Sequence, residues 1–438
     1  MSPQWTANGQ EPTRTRYVIM ALLFLSVAIN YLDRSNLSVA APQLGKDLGI
    51  DTIKMGVVFS AFGWSYSFCQ VPGGWLADRV NPRATYAILI ALWSVATAAL
   101  GFAWSITLLI ALRVLVGALE SPSFPINNRI VTTWFPERER ATAIGVYTAG
   151  EFVGLAFLTP ALMYLQLHSG WRIIFFCLGG LGILWSLVWY LIYRGPMSFP
   201  RTNSAEIDLI REGGGLVDLE STTASAKPAF AIADLGKVLN RSKLWGLYIG
   251  QYALTSTVWF FLTWFPTYLV KYRGVSFNTA GFLSSLPFLA AFCGVLCSGL
   301  VSDLLLRKGV SIGVARKAPI VTGLLLSTTI IGANFVQAPR WIIVFMATAF
   351  FGNGMASISW SLVSAIAPKH LIGLTSGVFN LFGNLSGITV PIIIGFLVRR
   401  GDFSPALTYV SAMAVIGVFC YIFVVGAIER LPDGASAK

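Results

Sequence analysis

The stretch Gly74-Trp75-Leu76-Ala77-Asp78-Arg79-Val80-Asn81-Pro82-Arg83 closes an apolar run, and 225 residues further on Gly299-Leu300-Val301-Ser302-Asp303 closes another. Pro136 stands nine residues before Gly145, as Pro368 stands nine before Gly377. These pieces fall at equivalent places in two sets of six apolar runs, which marks an internal repeat. The runs cover roughly 17–41, 55–77, 84–104, 106–134, 140–166 and 171–193, then 244–270, 278–306, 318–337, 341–366, 371–398 and 405–428. Each is long enough to cross a bilayer as a helix of ~20 residues. The pattern predicts an all-α membrane protein with twelve transmembrane helices in two pseudo-symmetric six-helix halves. The halves are residues 1–193 and 244–438. Duplicated halves around a central cavity are the usual plan of secondary transporters.

Composition supports this. Of 438 residues, 55% are apolar and 11% charged, and the mean hydropathy is +0.70. Soluble domains carry about 25% charged residues, so a soluble enzyme is excluded. The net charge of +12 would suggest nucleic acid in a soluble chain. Here it reads as basic loops on one side of a membrane, with no nucleic-acid partner. Placing both termini in the cytoplasm puts 21 of the 31 Lys and Arg residues inside and eight outside, with Arg34 and Arg113 within helices. The first apolar run contains Asp33-Arg34 and no small-residue cleavage site, so it is not a removable signal peptide.

Residues 194–243 form the one long polar stretch, with Gly213-Gly214-Gly215, a Ser/Thr-rich segment and a surface helix expected around Ala205–Arg211. This reads as a cytoplasmic linker between the halves. The five cysteines sit in apolar stretches without metal spacing, and His168 and His370 fall at helix ends. No metal or cofactor is expected. No Walker pattern occurs, which leaves a gradient rather than ATP as the driving force.

The opening stretch resembles the signature loop between the second and third helices of the major facilitator superfamily. Asn81 stands where that loop usually has glycine, a departure that the tolerance of Asn for the left-handed conformation accommodates. Asn30-Tyr31-Leu32-Asp33-Arg34-Ser35-Asn36-Leu37 and Phe59-Ser60-Ala61-Phe62-Gly63-Trp64-Ser65-Tyr66-Ser67-Phe68-Cys69-Gln70 are similar to the anion:cation symporter family within it. Asn127-Asn128-Arg129, Trp134-Phe135-Pro136-Glu137, Trp259 to Pro266, Phe351-Gly352-Asn353-Gly354 and Trp360 to Ser364 extend the likeness over nearly the whole chain. The resemblance implies a bacterial inner-membrane symporter, acting as a monomer, that imports a sugar acid with protons: D-galactonate or a related aldonate or hexonate. An uncoupled organic-anion facilitator, or a symporter for a glucarate or hexuronate, is the alternative.

Five ionisable residues lie inside the spans, Asp33, Arg34, Arg113, Glu120 and Glu151, all in the first half. Each unpaired charge at mid-membrane costs at least ~2.5 kcal/mol, so they must pair, protonate or face a wet cavity. Arg113 and Glu120 are seven residues apart on one helix face, whereas Asp33 and Arg34 point about 100° apart. Arg34 is the expected holder of the substrate carboxylate, and Asp33, Glu120 and Arg113 the expected proton-coupling groups. The resemblance adds Tyr31, Tyr66, Glu151, Ser357, Trp360 and Asn380 as substrate contacts. Glu151 departs from the glutamine that close relatives carry at the hydroxyl-contacting position. Asn353 and Asn384 share the helix stripes of the second-half residues. Asp78, Arg79 and Asp303 are expected to latch helix ends during the conformational change, with Arg138, Glu139 and Arg140 extending that network.

Overall fold

The computed structural model of the protein describes residues 11–218, 232–368 and 372–431. Helices α1 (Arg16–Asp47), α2 (Thr52–Arg79), α3 (Pro82–Leu100), α4 (Ile106–Glu120), α5 (Ser123–Trp134), α6 (Glu137–Ser169) and α7 (Trp171–Ile192) build the first half. Two short helices follow, α8 (Ser204–Glu212) and α9 (Ile232–Leu239). The second half holds α10 (Ser242–Thr263), α11 (Phe277–Arg307), α12 (Ile312–Ser327), α13 (Pro339–Ala356), α14 (Ile372–Leu397) and α15 (Ser404–Phe419). Among the described residues, ten helical segments are long and apolar enough to cross a membrane, or eleven with the bent pair Ser242–Thr263 and Phe265–Tyr272. Helix α2, 28 residues long, lies outside that count and packs within the same bundle.

Local chemistry sets the breaks. Asp51 caps α2 by accepting the Lys54 N–H at 2.8 Å, which satisfies one of the orphan donors of a helix start. Asn81 caps α3 the same way, accepting the Arg83 N–H at 2.8 Å with Pro82 in the first turn. Its φ is −69°, so Asn81 is extended, not left-handed as expected from sequence. Asparagine is tolerated there because its side chain starts the next helix. The run 106–134 is divided at Ser121-Pro122, where the Ser121 hydroxyl donates to the Ala118 and Cys69 carbonyls at 2.9 and 3.1 Å. The run 244–270 bends by 55° at Trp264, one residue before Phe265-Pro266.

Small residues bring the helices together, as they must where lipid supplies no hydrophobic drive. A Cβ at Gly150 or Gly154 would meet the backbone of Phe24 or Ala28 in α1 within 2.9 Å, and one at Gly117 would meet Phe62 and Ser65 in α2. Large apolar side chains point outward, with Phe335 83%, Phe282 71% and Phe423 68% exposed. That surface suits a lipid environment and not water.

The close approaches between the halves that the glycines report lie toward one end. Residues 16 and 431, near the two termini, lie at the opposite end, where the Leu431 N–H bonds the Ile366 carbonyl at 2.8 Å. At the far end a Cβ on Gly56 or Gly63 would press on the backbone of Pro391 or Gly387, and one on Gly395 would meet the Thr52 carbonyl. There α2 meets α14, while Gly281 of α11 meets Pro160 and Met163 of α6. At the end bearing the termini, a Cβ on Gly74, Gly145, Gly299 or Gly377 meets nothing within 4 Å.

The polar stretch after α7 folds onto the first half. The Glu206 carboxylate sits at the start of α1, accepting the Thr15 and Arg16 N–H groups at 2.9 and 3.1 Å, the Thr13 hydroxyl, and Arg16 Nη1 at 3.2 Å. Arg16 also grips Glu139 with two nitrogens at 2.8 and 3.2 Å. Glu137 N–H and Arg140 bond the Gly213 and Gly214 carbonyls at 2.8 and 2.6 Å. A carboxylate at a helix N-terminus also meets the positive end of its dipole. The expected helix around Ala205–Arg211 is α8, and its role is to cap α1.

Candidate functional site

Arg34 is the centre of the site. It sits midway along α1, 6% exposed, with Nε donating to Glu120 Oε1 at 2.5 Å. Its guanidinium lies 4.5 Å from the ring centres of both Tyr31 and Tyr66, 5.3 Å from Phe62 and 6.0 Å from Phe124. Four aromatic rings screen the cation from lipid by contacts that favour a desolvated guanidinium. The Nη2 nitrogen has no protein partner. Helical spacing explains the arrangement: Tyr31 and Arg34 share a face three residues apart, and Phe62 and Tyr66 stack at 5.3 Å on α2.

Asp33 turns away from Arg34, as the spacing predicts. Its Oδ2 accepts the Trp93 indole N–H at 3.1 Å, and its Oδ1 has no protein partner. Arg113 donates to the Asp33 backbone carbonyl at 3.2 Å and lies 5.0 Å from the Phe62 ring. Glu120 therefore binds Arg34 on another helix, although Arg113 shares its own helix face. Glu151, 8% exposed, brings its carboxyl against the Tyr31 phenol and into the field of Arg34. The first half thus gathers Tyr31, Asp33, Arg34, Tyr66, Arg113, Glu120 and Glu151 into one buried cluster. Two arginines and three carboxylates leave that cluster one negative charge in excess when all are ionised.

The second-half candidates are arranged more loosely. Ser357 and Asn380 are half-buried, and Trp360 is 46% exposed with its ring edge-on to Phe379 at 4.9 Å. Ser357 Oγ bonds the Gly354 carbonyl at 2.7 Å. Among the described residues, no hydrogen bond joins Ser357, Trp360 or Asn380 to Arg34 or Glu151. Asn353 is occupied elsewhere, donating to the Leu254 carbonyl at 2.7 Å, so it ties α13 to α10. Aromatic pairs cross between the halves beside the cluster: Phe62 with Trp259 at 6.3 Å, Phe59 with Trp264 at 5.3 Å and Phe152 with Phe350 at 6.0 Å. Ser357 and Asn380 both lie seven residues from this seal, counted from Phe350 and Gly387, on the side of the termini.

Sequence reasoning missed Trp93, Phe62, Phe124 and Glu206. Phe62 was recoverable from its four-residue spacing to Tyr66, whereas Trp93 and Glu206 reach their partners only through the tertiary fold. The side chains of Asp78, Arg79 and Asp303 lie outside the described residues, as does His370. Arg129 of the Asn127-Asn128-Arg129 stretch donates to the Ala77 carbonyl and, at 3.1 Å, to that of Val80, satisfying the end of α2. Glu139 pairs with Arg16 at the start of α1, and Arg140 bonds the Gly214 carbonyl just after α8. Among the described residues, no group of three or more His, Cys, Asp or Glu side chains comes together to hold a metal.

The Major Facilitator Superfamily family model matches residues 23–391. The chain belongs to this superfamily. It is 52% identical over 424 residues to a D-galactonate transporter of Escherichia coli O6:H1, covering 97% of this chain and 99% of that one. A probable galactarate/D-glucarate transporter of Escherichia coli K12 is 40% identical, covering 98% and 97%. The inward open conformation of the xylose transporter XylE from E. coli aligns with a TM-score of 0.72 at 13% identity, over 94% of this chain and 97% of that one. An inward-facing, unoccupied bacterial homologue of human Spinster gives 0.67 at 20%, over 96% of each chain. These structural likenesses establish the fold, an all-helical multi-span bundle. The superfamily match and the 52% identical relative place the chain among transporters and not enzymes.

Proposed function

We propose that this protein is a proton-coupled symporter that imports a sugar acid, D-galactonate or a close aldonate, by alternating access across a bacterial inner membrane. Both termini lie in the cytoplasm on this reading, and the separated ends of the halves face inward. The observation that carries it is Arg34: a buried guanidinium, held at Nε by Glu120 and free at Nη2, beside Tyr31, Tyr66 and Glu151. A substrate carboxylate gains charge-assisted hydrogen bonds there. It also competes with Glu120 for the arginine.

Charge counting supplies the coupling. The cluster carries one excess negative charge, and a bound carboxylate makes it two, which a low-dielectric site resists. Protonation of Glu120, or of Asp33 with its unpartnered Oδ1, restores the balance. Proton and substrate therefore favour one loaded state, and losing the proton weakens anion binding. The second half offers neutral Ser357 and Asn380 to the hydroxyl end, with no mid-membrane cation for a second carboxylate. That favours an aldonate monoanion over a glucarate dianion. Glu151 supports hydroxyl binding when protonated and repels an anion when ionised.

The test is uptake into proteoliposomes with and without an imposed pH gradient. Wild type is expected to concentrate D-galactonate only with the gradient. Glu120→Gln should still bind and exchange substrate but lose gradient-driven accumulation. Full accumulation by that variant would remove Glu120 from coupling, and gradient-independent wild-type uptake would favour a facilitator.

A further inference from the structure

Glu120 poses a problem of access. It is fully buried, and Arg34 closes it at Oε1. Its other oxygen, Oε2, has no protein partner. Behind it the interior of the first half is unusually polar. The Asn30 side chain, 1% exposed, approaches Glu120, and both its amide atoms lack protein partners. Next comes Tyr86, fully buried, whose unpartnered hydroxyl faces Ser26, Ser123 and Asn127. Ser123 Oγ and Asn127 Oδ1, each 1% exposed, are unpartnered too. Ser26 Oγ accepts the Trp185 indole N–H at 2.9 Å. Trp189 lies edge-on to Tyr86 at 4.8 Å with its own indole N–H unpartnered.

The order of these groups is directional. Glu120, Ser123 and Asn127 recur at three and four residues, one stripe running ~10 Å down α4 and α5 toward the end that bears the termini. Asn30 and Ser26 form the parallel stripe on α1, four residues apart and descending to the same end. Tyr86 lies in the first turns of α3, about 6 Å from its start at that end. A buried polar group without a partner is costly, and native interiors meet that demand with ordered water. Amides, hydroxyls and water in sequence are the components of a proton relay.

We infer that this polar thread is a hydrated proton path from Glu120 Oε2 to the cytoplasm through the interior of the first half, separate from the route of the substrate. It rests on the proposed proton coupling and adds the path. The O–H bond at Glu120 Oε2 breaks, the carboxylate left behind keeps its pair with Arg34, and the proton passes to thread water and leaves as hydronium. The other charged or titratable groups facing Glu120 are Arg34, Arg113, Asp33, Tyr66 and Tyr86. Substrate and proton thus leave by different sides of one arginine–glutamate pair.

Radiolytic hydroxyl-radical footprinting on the detergent-solubilised wild type tests hydration directly. Tyr86 should label many times faster than Phe260, an equally buried ring in an apolar core. In proteoliposomes, Tyr86→Phe and Asn127→Leu should slow gradient-driven D-galactonate uptake about tenfold. Substrate counterflow, which needs no net proton release, should stay at the wild-type rate. Tyr86 labelling no faster than Phe260, or wild-type coupled uptake by both variants, overturns the thread. Loss of counterflow in both variants also overturns it, because the residues then serve the fold or the substrate. If wild-type uptake ignores the gradient, the coupling reading fails, and rapid Tyr86 labelling still reports the hydrated interior.

Discussion

The two halves share a helix plan and differ in what they bury. Within its spans the first encloses Arg34, Arg113, Asp33, Glu120 and Glu151, with a thread of polar side chains most of which leave an atom without a protein partner. The second encloses aromatic rings and neutral polar groups. Some are tied to backbone, such as Asn353 on the Leu254 carbonyl and Ser411 on that of Thr328 at 3.0 Å, while others, such as Tyr248, Thr257 and Ser284, are unpartnered there too. The sequence echoes suggest one frame used twice, with a different content in each half. The charged half can change protonation, while the neutral half can only offer hydrogen bonds. On the proposed function, one wall reads charge and the other reads hydroxyl pattern.

The sharpest way to break that contrast is Arg34→Ala. It removes the anion contact and strands Glu120, so D-galactonate affinity should fall at least ~100-fold by equilibrium binding. Affinity within a fewfold of wild type would move the charge-reading site elsewhere.

The next effect concerns stability. Burial raises the Glu206 carboxyl, but bonds from Thr13 and from the Arg16 and Thr15 backbone, with the charge of Arg16, outweigh it and hold it below its ordinary value. A lowered folded-state value stabilises above the unfolded value, and that contribution is lost as pH falls through the folded one. Glu206→Ala should cost roughly 1–3 kcal/mol near neutral pH, and the gap from wild type should close in acid. Thermal unfolding across pH checks this. A constant gap would mean that Glu206 acts through packing.

The smallest effects belong to the neutral wall. Ser357→Ala and Asn380→Ala should each raise KM about fivefold, the worth of one hydrogen bond near 1 kcal/mol, with the response to a pH gradient unchanged. A shift in that response would give the second half a share in coupling and blur the division.

Much of this division is legible in the sequence. Helix periodicity and length give the bundle, and scarcity of charge makes the five intramembrane residues stand out. The 100° step between Asp33 and Arg34 foretells that they serve different neighbours. What escapes is set by partners distant in sequence. Nothing local tells Arg34 to choose Glu120 over a tyrosine, or sends Glu206 from the linker to cap α1. Pro122 is visible in the sequence, but the Cys69 carbonyl across the bundle that takes the Ser121 hydroxyl is not. Asn81 shows that a tolerated residue type can be read for the wrong reason: its capping side chain matters, and a left-handed backbone is not needed.

The glycines at the open end carry a last consequence. Gly74 and Gly299 are repeat mates, as are Gly145 and Gly377, and each now borders unfilled space. In this conformation an alanine at any of them collides with nothing. At the far end, Gly56, Gly63, Gly281 and Gly395 are pressed by the opposite half. On the proposed alternating-access cycle the open end closes as tightly in its turn, and four missing methyl groups are the room that closure needs. The chain therefore holds, written in absent atoms, a cast of the conformation it is not in.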